Sequence, residues 1–157
     1  LVSRSDIHES ITYLEHEMKE VGELKIFGSP YTPSFNQGWA YNVKRSRLDA
    51  YWAEIPEGTD IVVTHGPPLG ILDHTESGAG KGDEHGSTAT MSCGCKSLLN
   101  HIKRVEPLLH VYGHIHPEDR CLNGASLKLH DYRTTFINAA VVDLDYKICN
   151  NGVIINI

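Results

Sequence analysis

No stretch of the chain approaches the roughly 18 consecutive apolar residues a membrane helix needs, so no membrane partner is expected. Cysteine is scarce. Four residues (Cys93, Cys95, Cys121, Cys149) among 157 are too few to build a disulfide scaffold. Cys93 and Cys95 bracket only Gly94, which is not the two-residue gap of a redox or zinc knuckle. Reduced thiols and a cytoplasmic setting are therefore the expectation. Positive charge is also short: 14 Lys and Arg against 20 Asp and Glu leave a net charge of −6. That balance argues against an extended nucleic-acid surface, while a local positive patch or a bound metal could still attract a phosphate. What is there suits a folded domain. A 40% hydrophobic content excludes a disordered tail, and 157 residues fit one domain over 1–157 and not two. The opening Leu1-Val2-Ser3-Arg4-Ser5-Asp6-Ile7-His8 has no apolar leader core and no starting Met, so residues are expected to be missing upstream and the domain to be incomplete.

Along the chain, Ile11–Val21 reads as weakly helical or as a short strand around Ile11–Leu14, and Leu24–Phe27 as a strand ended by Gly28-Ser29-Pro30. Tyr31–Trp39 mixes aromatics with Pro, Asn and Gly and reads as a structured loop packed on the domain edge. Ser46 is placed to cap a helix reaching Ala53, with Leu48, Tyr51 and Trp52 inward. Asp60–Thr64 and Leu108–Tyr112 read as buried strands, with a helix from Cys95 to Val105 between them that Pro107 stops. Thr134–Ile137, Val141–Asp145 and Val153–Ile155 are further strand candidates. The segment 74–92 is rich in Gly, Ser, Asp, Glu and His and nearly devoid of apolar residues, which predicts a flexible surface loop. Strand, helix, strand alternation with apolar strands predicts an α/β fold.

Two of these strands end alike, in Thr64-His65-Gly66 and in Tyr112-Gly113-His114-Ile115-His116. Ligands of α/β folds sit beyond the carboxyl ends of strands, where loops converge on fixed roots. Imidazole nitrogen suits first-row divalent ions, so His65, His114 and His116 are the candidate metal ligands. The other seven histidines, among them His8, His16, His101 and His110, are expected to have no metal role.

Thr64-His65-Gly66-Pro67-Pro68-Leu69-Gly70, Gly94-Cys95, His110-Val111-Tyr112-Gly113-His114-Ile115-His116 and Phe136-Ile137-Asn138-Ala139-Ala140 together resemble the calcineurin-like metallophosphoesterase superfamily. Lys25–Phe35 and Ile55–Asp60 resemble its branch of metallophosphoesterase-domain-containing proteins, which includes brain-enriched cyclic nucleotide phosphodiesterases. The resemblance implies a four-layer α/β/β/α sandwich and hydrolysis of phosphodiesters or phosphomonoesters at a dinuclear metal site. It implies that His65 and His114 bind the second metal and His116 the first. Mn²⁺ is the ion expected first, with Fe²⁺/Fe³⁺, Zn²⁺ or Mg²⁺ as alternatives, and a small phosphate ester such as a cyclic nucleotide is the expected ligand. Some brain members carry Gly where His114 stands; this sequence retains the histidine.

The family also has an Asp-x-His turn, a Gly-Asp turn with the bridging carboxylate, and a Gly-Asn-His turn with the proton-donor histidine. All fall before the region matching Leu1, so no catalytic proton donor is assigned in this chain. Asp6-Ile7-His8 and Gly82-Asp83 spell two of these motifs but follow no apolar strand, and they read as chance matches. The chain is accordingly expected to hydrolyse phosphodiesters poorly by itself. A mononuclear metal-binding module and a non-catalytic interaction protein remain as alternatives, and an unpaired sheet edge is expected to favour a homo-oligomer.

Overall fold

The runs Ile61-Val62-Val63-Thr64 and Leu109-His110-Val111-Tyr112 pair as neighbouring strands, as their β-branched and large side chains favour on a pleated surface. The computed structural model describes residues 8–35, 39–75, 92–116 and 124–157. Its elements are Glu17–Val21 (β1), Leu24–Ser29 (β2), Thr32–Pro33 (β3), Asn42–Val43 (β4), Arg45–Trp52 (α1), Ile61–Thr64 (β5), Lys96–Val105 (α2), Leu109–Tyr112 (β6), Ser126–Lys128 (β7) and Thr135–Asn138 (β8). Six strands form one mixed sheet in the order β1-β2-β5-β6-β8-β7. The four central strands run parallel, and β1 and β7 close the edges antiparallel. β3 and β4 form a small parallel pair apart from it. The described chain is thus α/β. No helix among the described residues is long and apolar enough to cross a membrane.

Register decides which residues meet the helices. Phe27, Val62, His110 and Phe136 lie in one row across the four central strands. Phe27, Val62 and Phe136 form the core with Leu48 and Trp52 of α1 and Leu98, Ile102 and Val105 of α2. The next row, Gly28, Val63, Val111 and Ile137, points to the opposite face, as the two-residue period of a strand requires. There Val63 is 39% exposed although its neighbour Val62 is fully buried. The strand expected to be buried throughout is, among the described residues, exposed at Val63.

Several local expectations change. Ile11–Leu14 has no regular structure, and the strand of that region is Glu17–Val21, turned by Gly22 at φ 61 into β2. α1 begins two residues earlier than expected, at Arg45, with Lys44 and not Ser46 at its N-cap and no side-chain cap, so Ser46 lies inside the helix. Tertiary anchoring accompanies that start: the Arg45 guanidinium donates to the carbonyls of Gly94 and Cys93 at 2.8 and 2.9 Å. Val141–Asp145 forms no strand because Asp143 Oδ1 accepts from the N–H groups of Asp145 and Lys147, a local turn that competes with a ladder; only the single bridge Val142–Ile148 remains. Val153–Ile155 has no regular structure either. β7, short and polar, was not anticipated. The loop expected at 74–92 lies mostly outside the described residues, as do Asp6 and Asp83; its ends, His74 and Ser92, form an antiparallel bridge.

Candidate functional site

Because β5 and β6 are parallel neighbours, the turns that follow them leave the sheet side by side, and Gly113 N–H donates to His65 O at 3.1 Å. The Thr64 hydroxyl donates to Gly66 O at 2.8 Å and lies 2.9 Å from His110 Nε2. With that hydroxyl proton committed to Gly66, His110 Nε2–H is the donor to Thr64 Oγ1, which fixes the tautomer of this fully buried ring. Beyond β6, His114 has φ 68 and Ile115 N–H donates back to Gly113 O at 2.8 Å. That three-residue turn, with a non-glycine residue at positive φ, is the rare strained kind, held at a cost of about 1–3 kcal/mol.

The outcome is a histidine pair. His65 Nε2 lies 3.1 Å from His114 Nδ1, with ring centroids 4.5 Å apart. A Cβ at Gly66 would sit tightly, 3.3 Å, against Thr32 Oγ1 and in ordinary contact, 3.7 Å, with His114 Cδ2. Burial holds the His65 imidazolium below its usual range, and burial followed by repulsion from His65 and His116 pushes His114 down to about 4. Both rings are therefore neutral at physiological pH, the form that offers a lone pair. His116 lines the same cavity. Its Nδ1 donates to Asp143 O at 3.1 Å, which puts the ring lone pair on Nε2, and Tyr146 packs edge-on at 5.6 Å.

The cavity measures about 800 Å³. Phe35, Trp39 and Tyr41 form one wall and Leu144 and Tyr146 another, with the histidines between. Among its described lining residues Arg45 is the one formal cation, and none is a carboxylate. Phe35 stacks tilted on His114 at 4.8 Å, so the aromatic loop expected at the domain edge is part of the site.

Two nitrogens bound to one ion at 2.0–2.1 Å with tetrahedral angles stand roughly 3.3 Å apart, so the 3.1 Å separation of His65 and His114 suits two ligands of a single ion. A dinuclear centre is a different matter. Among the described residues no group of three or more His, Cys, Asp or Glu is placed to hold a metal. The residues present fit part of one metal's coordination and do not fit a two-metal centre. Of the other described histidines, His16 packs among Phe27, Tyr31 and Tyr51, His101 faces Asp49 on the helical side, and His8 meets Ser10. Arg45 and Asn138 escaped the sequence reading. Arg45 carries no local signal, whereas Asn138 sits inside a quoted motif, at a strand end.

No protein-family model matches the chain. Curated relatives do. The human protein named metallophosphoesterase domain-containing protein 1 is 37% identical over 147 residues, covering 92% of this chain and 39% of its own length. Its mouse counterpart gives the same figures. A UPF0046 protein of Caenorhabditis elegans is 34% identical over 159 residues, covering 99% of this chain and 35% of that protein. The chain thus spans under two fifths of the length of these relatives. Over that stretch the chain is similar to the metallophosphoesterase-domain-containing proteins, of which it is a partial match.

Proposed function

We propose that the chain supplies the histidine-bearing wall of a metal-dependent phosphoesterase that hydrolyses a small phosphate ester. The observation that carries this reading is the His65–His114 pair, two neutral imidazoles 3.1 Å apart at adjacent parallel strand ends. His65 and His114 would hold one divalent ion, Mn²⁺ in the first instance, with His116 lining the same cavity. A bound metal would supply charge stabilisation for the phosphoryl oxygens. The chain's own residues do the rest of what is attributed here. Neutral rings present lone pairs, Arg45 contributes positive charge at the rim, and Phe35, Trp39 and Tyr146 offer apolar walls to the organic part of the ester. A four-layer sandwich, a cytoplasmic setting and a cyclic nucleotide among the substrates belong to the same proposal.

A second reading is favoured by one observation. The 3.1 Å separation of His65 and His114, which suits two ligands of a single ion, also suits a mononuclear metal-binding module without turnover. Metal stoichiometry measured beside hydrolysis of an aryl phosphodiester and a cyclic nucleotide, with Mn²⁺ added, separates the two. The phosphoesterase reading expects weak turnover from the 157-residue chain and robust turnover from a form carrying the rest of the relatives' length, abolished by His114→Ala. One equivalent of metal and no turnover in either form would establish the binding module instead.

A further inference from the structure

Asn138 ends β8 opposite its register partner Tyr112 and is wholly buried. Its amide is satisfied by backbone groups. Oδ1 accepts from Ala140 N–H at 3.0 Å, while Nδ2 donates to Leu72 O at 3.0 Å and to Ile115 O at 2.9 Å. These partners fix the orientation of the amide, because only its oxygen can accept from an N–H and only its NH₂ can donate to carbonyls. One side chain therefore joins three stretches: the turn carrying His114 and His116, the loop after β5, and the chain leaving β8.

The bond to Ile115 O falls between the two histidines. Ile115 is gripped on its N–H by Gly113 O, which closes the strained turn at His114, and on its carbonyl by Asn138. A residue held at positive φ persists only where its surroundings over-determine it. Leu72 O ties the same amide to the loop whose Ile71 carbonyl accepts from Tyr112 Oη at 2.8 Å, so the grip is anchored on both sides.

We propose that Asn138 is a positioning residue: it holds the His114-Ile115-His116 turn in its strained form and thereby keeps His114 against His65. Its use rests on the phosphoesterase reading, but the geometry can be tested without turnover. The experiment is imidazole NMR (¹H–¹⁵N) on the 157-residue chain, comparing Asn138→Ala and Asn138→Asp with Phe136→Leu, a core substitution on the same strand that leaves the turn untouched. The His65 and His114 ring signals are expected to move severalfold further in the Asn138 variants than in F136L, with loss of the ring-to-ring contact, while His101 on α2 stays put. Equal movement in all three variants overturns the proposal. Should the Asn138 variants fail to fold, the unsubstituted chain decides. A through-bond coupling from Asn138 Nδ2 to the Ile115 carbonyl carbon, with slowed exchange of the amide protons, supports the grip; solvent-rate exchange without coupling overturns it. Failure of these measurements removes the role of Asn138 alone, whereas absence of metal uptake and hydrolysis in the unsubstituted protein removes the phosphoesterase reading and leaves the ring data standing.

Discussion

His110 and His114 are four residues apart, and burial lowers both, His110 to about 3 and His114 to about 4. In the unfolded chain each would titrate near 6.5, so below that pH the unfolded state binds protons that the folded state refuses. Stability is therefore complete above about 6.5 and falls as the pH drops from there towards the folded values. Thermal melts across that window should show the loss, and His110→Gln, which keeps a donor for Thr64 but cannot titrate, should show a shallower one. An unchanged slope would mean that His110 is accessible to protons. Gly94 makes a second residue-scale case. A Cβ there would stand 2.3 Å from Pro68 O and 2.8 Å from Asp73 Oδ2, and backbone cannot yield as a flexible side chain does. Gly94→Ala is expected to cost about 1–3 kcal/mol in urea unfolding, the range of overpacked interiors. A variant as stable as the parent would show that the Pro68 turn can shift.

α2 was legible in the sequence almost to the residue, because Leu98, Leu99 and Ile102 read as its inward side chains and Pro107 blocks its extension; the buried stripe is Leu98, Ile102 and Val105. Its end carries a flaw that sequence inspection passes over: Glu106 adopts a left-handed conformation at φ 51, where glycine is at ease and glutamate is not. Glu106→Gly should raise stability by roughly 0.5–1 kcal/mol once the extra unfolded-state entropy of glycine is discounted. A lower melting temperature would count against this. β5 and β6 were legible for the same reason as α2, and with them the placement of His65 and His114 at strand ends. Elements decided by tertiary partners were not. The start of α1 goes with Arg45 bonding to distant carbonyls, β7 exists by pairing with β8, and the apolar run at Val141 yields to the side chain of Asp143. Periodicity carries no trace of such contacts. The strained His114 turn was equally hidden, since nothing local marks a histidine for positive φ.

Across the sheet of the described residues, helices cover the row through Val62, while in the next row Val63 is 39% exposed, and β1, with Val21 54% exposed, forms an edge. Apolar side chains beside unpaired backbone groups invite association. Sedimentation at rising concentration is expected to show self-association of the 157-residue chain, weakened by Val63→Lys; identical behaviour of the two would place the contact elsewhere. One feature works in the other direction, towards tolerance. His74 and Ser92 bridge each other, and Cys93 N–H donates to Asp73 O at 3.1 Å, so the two ends of the connection between β5 and α2 are stapled to each other as a doorway. When the ends of a connection are fixed by their own bonds, doubling the length between them adds only about 0.6 kcal/mol of closure entropy. The doorway between β5 and α2 is thus a natural port for grafting: a reporter domain or affinity peptide inserted there would ride on the fold without altering the register of the strands that carry the histidines.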